Sequence, residues 1–380
     1  MGTRPEGIKL APVIAALRAE PRVETVVVAT GQHREMLAQV VRVFGLEVDL
    51  DLAVMQHDQT LASLTARLIT KVDEFLQSQK PDIALVQGDT TTVLSAALAC
   101  FYRKIAIGHV EAGLRTGNLQ SPFPEEANRK LAAPLVTLHF APTETARQNL
   151  LDEGIPDASI SVTGNTVIDA LYMEVERQRA PELRKDIDRQ LAEILGSDWA
   201  SVPYVLLTGH RRENFGEGFA QICDAIGRLA ARFPDHRFVY PVHLNPNVKG
   251  PVYERVGALP NVRLVPPQEY RLFVALMQQS RLLLTDSGGV QEEAPSLGKP
   301  VLVMRDTTER PEGVDAGTVK LVGANADRIV EEVSRLLSDP SAYQAMAEAK
   351  NPYGDGHAAE RIVRRILEHF ESGASTATAS

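Results

Sequence analysis

The sequence has little of what marks disulfide-rich, zinc-binding or membrane proteins. It contains 2 cysteines, Cys100 and Cys223, which are far apart and form no CxxC pair, so neither a disulfide nor a zinc site is expected. No apolar run approaches the ~20 residues that cross a bilayer, and the N-terminus lacks the charged and apolar regions of a secretory signal. These absences predict a protein of the reducing cytoplasm.

Positive charge is also scarce, since 40 lysines and arginines stand against 49 acidic residues and leave a formal net charge of −9. Nucleic acids and anionic membranes attract a positive surface, so neither is an expected partner. The GxxxxGK[ST] spacing of a P-loop, the GxGxxG of a dinucleotide fold and the HExxH of a zinc helix are missing. The sequence therefore predicts no cofactor and no metal.

What the sequence does contain is a series of short runs rich in valine, isoleucine and leucine, separated by longer amphipathic stretches. Their hydrophobicity is continuous rather than alternating, which is typical of parallel strands that are buried on both faces and connected by helices. The runs are "VETVVVAT", "DIALVQGD", "KIAIGHVE", "LVTLHFAPT", "ISVTGN", "YVLLTGH", "RFVYPVH", "VRLVPP", "RLLLTDSGG", "VLVMRD" and "VKLVG". They predict an α/β fold.

The series pauses between Leu171 and Val202, where the sequence is charged and helical, and then begins again. A chain of 380 residues is also long enough for more than one core. We predict two doubly wound, Rossmann-like domains that face a cleft, the first over residues 1–167 and the second over 168–352. A helix over 353–372 is predicted to join the first domain, and 373–380 to form a disordered tail.

The opening "MGTRPEGIKL" is typical of a turn that leads into a helix. Thr3 can cap the helix, and Glu6, three residues later, can reach back and complete a capping box. Turns of this kind normally follow a strand, whereas only Met1 precedes this one.

Polar residues collect where the predicted strands end. Doubly wound sheets bind their ligands beyond the carboxyl ends of the strands. Several titratable groups at those ends therefore indicate a site, although each residue alone could cap a helix. These residues are Asp89, His109, Glu111, His210, His243 and Ser287.

The segment "TDSGGVQEEAPSLGKP" predicts a phosphate-binding helix N-terminus. Ser287, Gly288 and Gly289 bring backbone N–H groups to the start of a helix, where the partial positive charge can hold a diphosphate. Glu293 falls one turn further on, where it can accept hydrogen bonds from ribose hydroxyls. The alternative is a plain turn that uses glycine for its dihedral angles.

Further charged residues lie in four other segments. Arg4 and Lys9 supply positive charge at the opening helix, and Arg310 does so in "RDTTERPEG", where its planar group suits phosphate oxygens. The segments "EAGLRTG" and "PFPEEANR" hold Glu111, Arg115, Glu125, Glu126 and Arg129. A solvated surface loop is the alternative interpretation of these two segments.

Taken together, these segments resemble the non-hydrolysing UDP-N-acetylglucosamine 2-epimerases. The matching stretches run in order from Gly2 to about His357, and their joint occurrence is specific. They are "GTRPEGIK", "GQHREML", "GDTTT", "GHVEAGLRTG", "PEEANR", "PTETARQNL", "TGNTVIDAL", "TGHRREN", "YPVHLNPNV", "LTDSGGVQEEAPSLGKPVLVMRDTTERPEG" and "NPYGDGHA".

The resemblance implies the two-domain glycosyltransferase-B architecture, a homodimer, and UDP-GlcNAc held in the interdomain cleft and converted to UDP-ManNAc. The catalytic residues that it implies are Asp89, Glu111, Glu125 and His210. The substrate-binding residues that it implies are Arg4, Lys9, Gln268, Phe273, Ser287, Gly288, Gly289, Glu293 and Arg310. Bacterial members also use UDP-GlcNAc as an activator, for which the positions to test are Gln32, His33 and His243.

The chemistry of the reaction agrees with these residues. The proton on C2 of an N-acetyl sugar is only feebly acidic, and elimination of UDP to give 2-acetamidoglucal avoids a free carbanion. Arg4, His210 and the "SGG" amides would stabilise the negative charge that grows on the diphosphate. Asp89, Glu111 and Glu125 are the acids available for the proton transfers, and the sequence leaves open which is base and which is acid.

Three other functions are compatible with parts of the pattern. A UDP-sugar glycosyltransferase shares the architecture and the "SGG" loop, although the acid-rich first half favours the epimerase. A hydrolysing epimerase would release ManNAc and UDP if water reached the glycal. A non-catalytic UDP-sugar sensor would not need the intact set of acids.

The resemblance also implies an apolar strand directly before "GTRPE", at the centre of the first sheet. We therefore expect the true start to lie upstream, with Met1 as an internal methionine at the end of that strand. Without the strand, unpaired edges would weaken the first domain and disturb Arg4 and Lys9.

Overall fold

Helices and strands alternate along the chain in the computed structural model, which describes residues 1–31, 34–56 and 59–377. The helices are α1 (Arg4–Ala19), α2 (Arg34–Phe44), α3 (Leu61–Gln79), α4 (Thr91–Tyr102), α5 (Glu125–Ala132), α6 (Glu144–Asp152), α7 (Thr166–Arg177), α8 (Pro181–Leu195), α9 (Glu217–Arg232), α10 (Pro246–Val256), α11 (Tyr270–Gln279), α12 (Gly288–Ser296), α13 (Pro311–Asp315), α14 (Ala326–Ser338), α15 (Pro340–Ala347) and α16 (Ala358–Ala377). The strands are β1 (Val28–Ala29), β2 (Leu50–Asp51), β3 (Ile83–Gln87), β4 (Ala106–Val110), β5 (Leu138–Ala141), β6 (Ile160–Val162), β7 (Tyr204–Thr208), β8 (Arg237–Pro241), β9 (Val262–Val265), β10 (Leu282–Thr285), β11 (Val301–Val303) and β12 (Val319–Leu321).

Each apolar run that predicted a strand contains one, so the α/β prediction is confirmed at this level. The strand that the sequence analysis missed is β2. Apolar and acidic residues alternate there in "EVDLDLA", and Leu50 and Asp51 are both exposed. A strand at the surface gives no continuous apolar run, which is why the pattern did not indicate it.

The chain divides into two compact units. Unit 1 comprises Met1–Ala170 together with the segment from Tyr353 onward, and unit 2 comprises Leu171–Pro352. Within unit 1, α16 packs against α1. No helix in the described ranges is both long enough and apolar enough to cross a bilayer.

The sheet of unit 2 has the strand order of a doubly wound nucleotide-binding fold. Its six described strands are all parallel and lie in the order β12-β11-β10-β7-β8-β9. The order reverses between β7 and β10, which pair from Val205 with Leu282 to Thr208 with Thr285. Ligands of such sheets bind at this switch point, beyond the carboxyl ends of the strands.

The strands of unit 1 are also parallel, but those that the structure describes form two separate sheets, β3-β4-β5-β6 and β1-β2. A cavity of about 820 Å³ is lined by residues of both β1 and β3, mostly apolar ones. Met1 lines the same cavity, where its N-terminal ammonium donates to the carbonyl of Val28 at 2.9 Å and its carbonyl accepts from the amide of Thr30 at 2.9 Å. This is the hydrogen-bond pattern of a parallel ladder.

The predicted capping box at the start of α1 is confirmed. The amide of Glu6 donates to Oγ1 of Thr3 at 3.5 Å, and Oε2 of Glu6 accepts from the amide of Thr3 at 2.6 Å. The other carboxylate oxygen of Glu6 accepts from the hydroxyl of Thr90 at 2.8 Å. Glu6 therefore connects the start of α1 to the loop that follows β3.

The C-terminal helix differs from its predicted bounds at both ends. It begins at Ala358 rather than at 353, because Gly354 and Gly356 have φ angles of 142° and 85°, which a right-handed helix does not allow. It continues to Ala377, into the segment that was predicted to be disordered.

Candidate active site

In unit 2 the predicted residues meet at the switch point of the sheet. His210 follows β7 and Ser287 follows β10, and these two strands are neighbours. Both residues therefore lie at the edge where a doubly wound sheet binds its ligand. The structure thus places both predicted residues at the carboxyl ends of neighbouring strands.

The N-terminus of α12 is a candidate anion-binding element with an arginine beside it. Ser287 is the N-cap residue, and its amide donates to Oγ1 of Thr285 at 2.9 Å. A Cβ atom on Gly288 would lie 2.6 Å from Nη1 of Arg310, so the guanidinium packs directly on this glycine. Nε of Arg310 donates to Glu292 at 2.6 Å, which fixes the side chain. A helix N-terminus and a guanidinium are together suited to phosphate oxygens.

Glu293 connects α12 to the start of α11. Its side chain is buried, and Oε1 accepts from the hydroxyl of Tyr270 at 2.7 Å. Tyr270 is the first residue of α11, and the predicted residues Gln268 and Phe273 flank it and are half-buried. The side-chain Nε2 of Gln268 donates to the carbonyl of Pro266 at 2.6 Å. The structure thus brings the α11 segment of the prediction to α12.

His210 and His243 form a second part of this candidate site. Their rings stack with centroids 5.5 Å apart and 21° between the planes. Both border a cavity of about 440 Å³, together with Arg211, Arg212, Glu213 and Asn245. Burial lowers the pKa of His210, whereas the carboxylate of Asp286 opposes that shift. Two arginines against one glutamate give the lining of this cavity a net positive charge, as expected for an anionic ligand.

In unit 1, Glu111 is the most constrained of the predicted acids. It follows β4 with a φ of 65°, a left-handed conformation that is uncommon for a residue other than glycine and is concentrated at functional sites. Its carboxylate forms a salt bridge with Lys9 and accepts hydrogen bonds from Gln87 and from Nδ2 of Asn165, the latter at 3.1 Å. These contacts join α1, β3 and the end of β6 around one carboxylate.

Asp89 and the "PEEANR" segment form the second group in unit 1. Asp89 accepts from Nε and Nη2 of Arg129 at 3.0 and 2.5 Å. Glu126 is fully buried and accepts from the amides of Thr116 and Gly117, both at 3.1 Å. The interpretation of this segment as a solvated loop is therefore wrong, because Glu125 and Glu126 lie in the first turn of α5, and Glu126 is buried and bonded to its neighbours.

Glu125 and Arg4 complete the predicted set in unit 1. Oε2 of Glu125 is buried and has no hydrogen-bond partner among the residues that the structure describes. Arg4 is half-buried at the first position of α1. A buried carboxylate oxygen without a partner is costly in a folded protein, and this suits a group that acts on a ligand.

The sequence analysis missed the residues that hold the acids in place. Gln87 is the last residue of β3, and Asn165 in "TGNT" follows β6, so the strand-end rule could have found both. Gln32 and His33, two of the three positions suggested for an activator, lie outside the described residues. No group of three or more metal-ligand side chains is found in the described ranges.

Comparison with known proteins gives a match along almost the whole chain. Residues 15–367 match the profile of a family described as UDP-N-acetylglucosamine 2-epimerase. A protein of that name from Yersinia pestis is 53% identical over 369 residues, which cover 97% of each chain. Another from Escherichia coli strain K12 is 53% identical over 373 residues, which cover 96% of each chain.

The solved structures agree with the sequence relatives. The crystal structure of UDP-GlcNAc 2-epimerase from Neisseria meningitidis bound to UDP-GlcNAc matches with a TM-score of 0.88 and 50% identity, covering 97% of this chain and 98% of that one. The predicted fold class is thereby confirmed as α/β of glycosyltransferase-B type, with doubly wound units of parallel strands.

Proposed function

The chain is an enzyme of the UDP-N-acetylglucosamine 2-epimerase family, and on that premise we propose that it interconverts UDP-GlcNAc and UDP-ManNAc without releasing the free sugar. The observation that carries the proposal is the 53% identity to a named epimerase over 97% of both chains. The structure supports it with an anion-binding group in unit 2 and three candidate acids in unit 1.

The proposed reaction proceeds by elimination and re-addition of UDP. A base removes the proton on C2 while the bond from C1 to the diphosphate oxygen breaks, which gives 2-acetamidoglucal and UDP. Return of UDP to C1 and of a proton to the opposite face of C2 then gives the epimer. The two faces of C2 require at least two acid or base groups, and Asp89, Glu111 and Glu125 are the three candidates for these roles.

Negative charge develops on the diphosphate as the bond to C1 breaks. The backbone amides at Gly288 and Gly289, the guanidinium of Arg310 and the imidazole of His210 are the groups in unit 2 that suit this charge. They are held in place before the ligand binds, since Arg310 is fixed by Glu292 and packs on Gly288. Preorganised donors of this kind stabilise a transition state without further reorganisation.

In unit 1, Lys9 and Arg4 would approach the sugar and diphosphate from α1. The salt bridge from Lys9 to Glu111 fixes the acid that is already constrained by its left-handed backbone. Gln268, Phe273, Ser287 and Glu293 are proposed as the remaining contacts to UDP, with Glu293 accepting from the ribose hydroxyls.

We further propose that UDP-GlcNAc also acts as an activator, that the enzyme is a homodimer and that it works in the cytoplasm. Support for the activator is the stacking of exposed His243 on His210 at the border of one cavity. Support for the dimer is that α4 and α5 pack together and carry exposed Phe101, Tyr102 and Leu131. Free, buried Cys100 and Cys223 are consistent with a reducing compartment.

The decisive experiment is incubation with UDP-GlcNAc in deuterated water. An epimerase that retains UDP incorporates deuterium at C2 of both UDP-sugars. A hydrolysing epimerase would instead release deuterated ManNAc, and a sensor or a glycosyltransferase would leave C2 unlabelled. Either of these results would contradict the proposal.

Glu111→Gln tests the role of the most constrained acid. We expect turnover to fall by roughly 10²- to 10⁴-fold, the usual contribution of an acid or base group, with UDP affinity changed by less than about threefold. The matched control is Glu144→Gln on α6, whose side chain is 76% exposed. Turnover like that of the wild type in Glu111→Gln would remove Glu111 from the mechanism.

A further inference from the structure

Asp286 follows β10 directly, and its side chain lies next to the loop that carries His210. Its side chain is 0% exposed, and its amide continues the ladder by donating to the carbonyl of Thr208 at 3.2 Å. Oδ2 accepts from the amides of His210 and Arg211, each at 2.8 Å. One carboxylate oxygen therefore fixes the backbone of the loop that carries His210.

The second carboxylate oxygen faces the imidazole. Oδ1 of Asp286 lies 3.4 Å from Nδ1 of His210. It is buried and has no hydrogen-bond partner in the described part of the chain. A buried carboxylate oxygen is costly unless a donor reaches it, and the Nδ1–H of His210 is the donor at hand.

We propose that Asp286 is a positioning residue that accepts the Nδ1–H of His210 and stabilises the imidazolium when an anionic diphosphate oxygen binds at Nε2. The inference deepens the proposed function, because it depends on His210 as a ligand of the diphosphate. It assigns Asp286 no contact with the substrate. Its effect on the reaction is exerted through the orientation and charge of His210.

Of the groups that shift the pKa of His210, Asp286 is the one that favours the charged imidazole. Burial lowers the pKa of His210, and the charges of Arg211 on the same loop and His243 after β8 act in the same direction. Tyr240 on β8 donates its hydroxyl to the carbonyl of Gly209 at 3.1 Å, and burial raises its pKa well above the usual range, so it supplies no negative charge. Among the groups that act on the imidazole, Asp286 is therefore the one that opposes loss of its proton.

Asp286→Asn is the variant that tests the proposal. Asparagine retains a carbonyl oxygen that can accept from the amides of His210 and Arg211, while its amide group cannot accept from Nδ1. We expect NMR titration of the imidazole, assigned with His210→Gln, to show a pKa of His210 lowered by about one unit or more. We also expect the Kd of UDP at pH 7 to rise about tenfold and to recover toward the wild-type value as the pH is lowered.

The matched control is Asp224→Asn on α9, which removes the same charge from an exposed side chain. It should leave the pKa of His210 and the Kd of UDP unchanged. A folded Asp286→Asn protein with an unchanged pKa of His210 would overturn the inference, even if the enzyme proves to be an epimerase. Absence of deuterium at C2 of the UDP-sugars would instead overturn the proposed function, and the result of this titration would still be valid.

A measurement on the wild-type protein covers the case in which Asp286→Asn does not fold. Nitrogen-15 shifts of His210 above its pKa distinguish the two neutral tautomers. The inference requires the proton on Nδ1, facing Asp286. A neutral imidazole with its proton on Nε2 would overturn it.

Discussion

His109 and His139 are neighbouring histidines inside unit 1 that the proposed reaction does not use. They face each other in the register of β4 and β5 and are 2% and 1% exposed. Burial is the main cause that lowers the pKa of both imidazoles, that of His139 to about 3, and the latter is lowered further by the charges of His109 and Arg115. The folded protein therefore holds both rings in the neutral form.

Acid should destabilise unit 1 through these histidines. The pKa of His139 is lower in the folded chain than in the unfolded chain, where it is about 6.5. Its stabilising contribution is therefore complete above pH 6.5 and is lost as the pH falls from 6.5 toward 3. Between pH 7 and pH 5 this group alone should reduce the free energy of unfolding by about 2 kcal/mol. Hydrogen exchange of the β4 and β5 amides, corrected for intrinsic rates, reports on unit 1 separately.

His139→Leu should make this pH dependence shallower, because leucine does not titrate. The control is His357→Gln, which replaces a histidine whose side chain is 59% exposed and should leave the slope as it is in the wild type. An equal slope in His139→Leu and the wild type would show that His139 is not the titrating group.

At the residue scale, the sequence could predict that the candidate site residues follow strands, but not which contacts hold them in place. The strand-end rule needs only the positions of the strands, and continuous apolar runs in the sequence reveal these positions. The residues that follow strands are Asp89, Glu111, His210 and Ser287. The contact of Asn165 with Glu111 joins residues 54 positions apart in the sequence. Contacts of this kind depend on how elements pack, and no local pattern encodes them.

The same contrast separates the two acids of "PEEANR". Glu125 and Glu126 are adjacent and chemically alike, but their side chains have different surroundings in the first turn of α5. Glu126 accepts from two backbone amides and pairs with Arg129 at 3.0 Å, whereas Oε2 of Glu125 has no partner among the described residues. Helical geometry turns successive side chains by about 100°, which the interpretation as a loop did not take into account.

At the scale of elements, the length of a strand depends on the strands that pair with it. The run "VETVVVAT" is as apolar as "DIALVQGD", but β1 contains 2 residues whereas β3 contains 5. In the described part of unit 1, β1 pairs with the exposed strand β2, and the cavity borders its other side. Apolar sequence alone does not form a long parallel strand, because each strand needs the ladder of the next.

The N-terminus of α12 permits a test in which one methyl group is added. The Cβ of Gly288→Ala would lie 2.6 Å from Nη1 of Arg310, so the guanidinium must move and its hydrogen bond to Glu292 must break or distort. Loss of one charge-assisted contact to phosphate costs about 1.5–3 kcal/mol. We therefore expect the Kd of UDP, measured by calorimetry, to rise by about tenfold or more.

Gly227→Ala is the matched control, because Gly227 lies inside α9 and no described atom other than its chain neighbours and the nearby helix backbone lies within 4 Å of the added Cβ. Alanine there should stabilise the helix by up to about 1 kcal/mol and leave the Kd of UDP unchanged. Equal affinities of Gly288→Ala and Gly227→Ala for UDP would contradict the assignment of this helix end as the diphosphate site.

For the whole molecule, two units of similar parallel topology carry different chemistry at the ends of their strands. Unit 1 contributes carboxylates, with Glu111 and Asp89 each in a salt bridge. Unit 2 contributes backbone amides, a guanidinium and imidazoles. Proton transfer at carbon and stabilisation of a leaving diphosphate need these two different kinds of groups.

The cavity in unit 1 has the properties of a space for one more parallel strand. It is lined by β1 and β3, and Met1 already makes the hydrogen bonds of a parallel ladder with β1. Its ammonium is buried there, and burial lowers the pKa of this group. A chain that continued from Met1 with apolar side chains would replace a buried charge by an amide and would fill the cavity.

We expect an extension of valine and isoleucine before Met1, of about the 5-residue length of β3, to stabilise unit 1. Each buried side chain contributes about 1.5–3 kcal/mol, against roughly 1.5 kcal/mol for ordering the residue. The free energy of unfolding of unit 1 should thus rise by on the order of 2–5 kcal/mol, with slower hydrogen exchange at Ile83–Gln87, where β3 gains a second ladder. A glycine and serine extension of equal length is the control, and equal protection of β3 in both proteins would contradict strand addition.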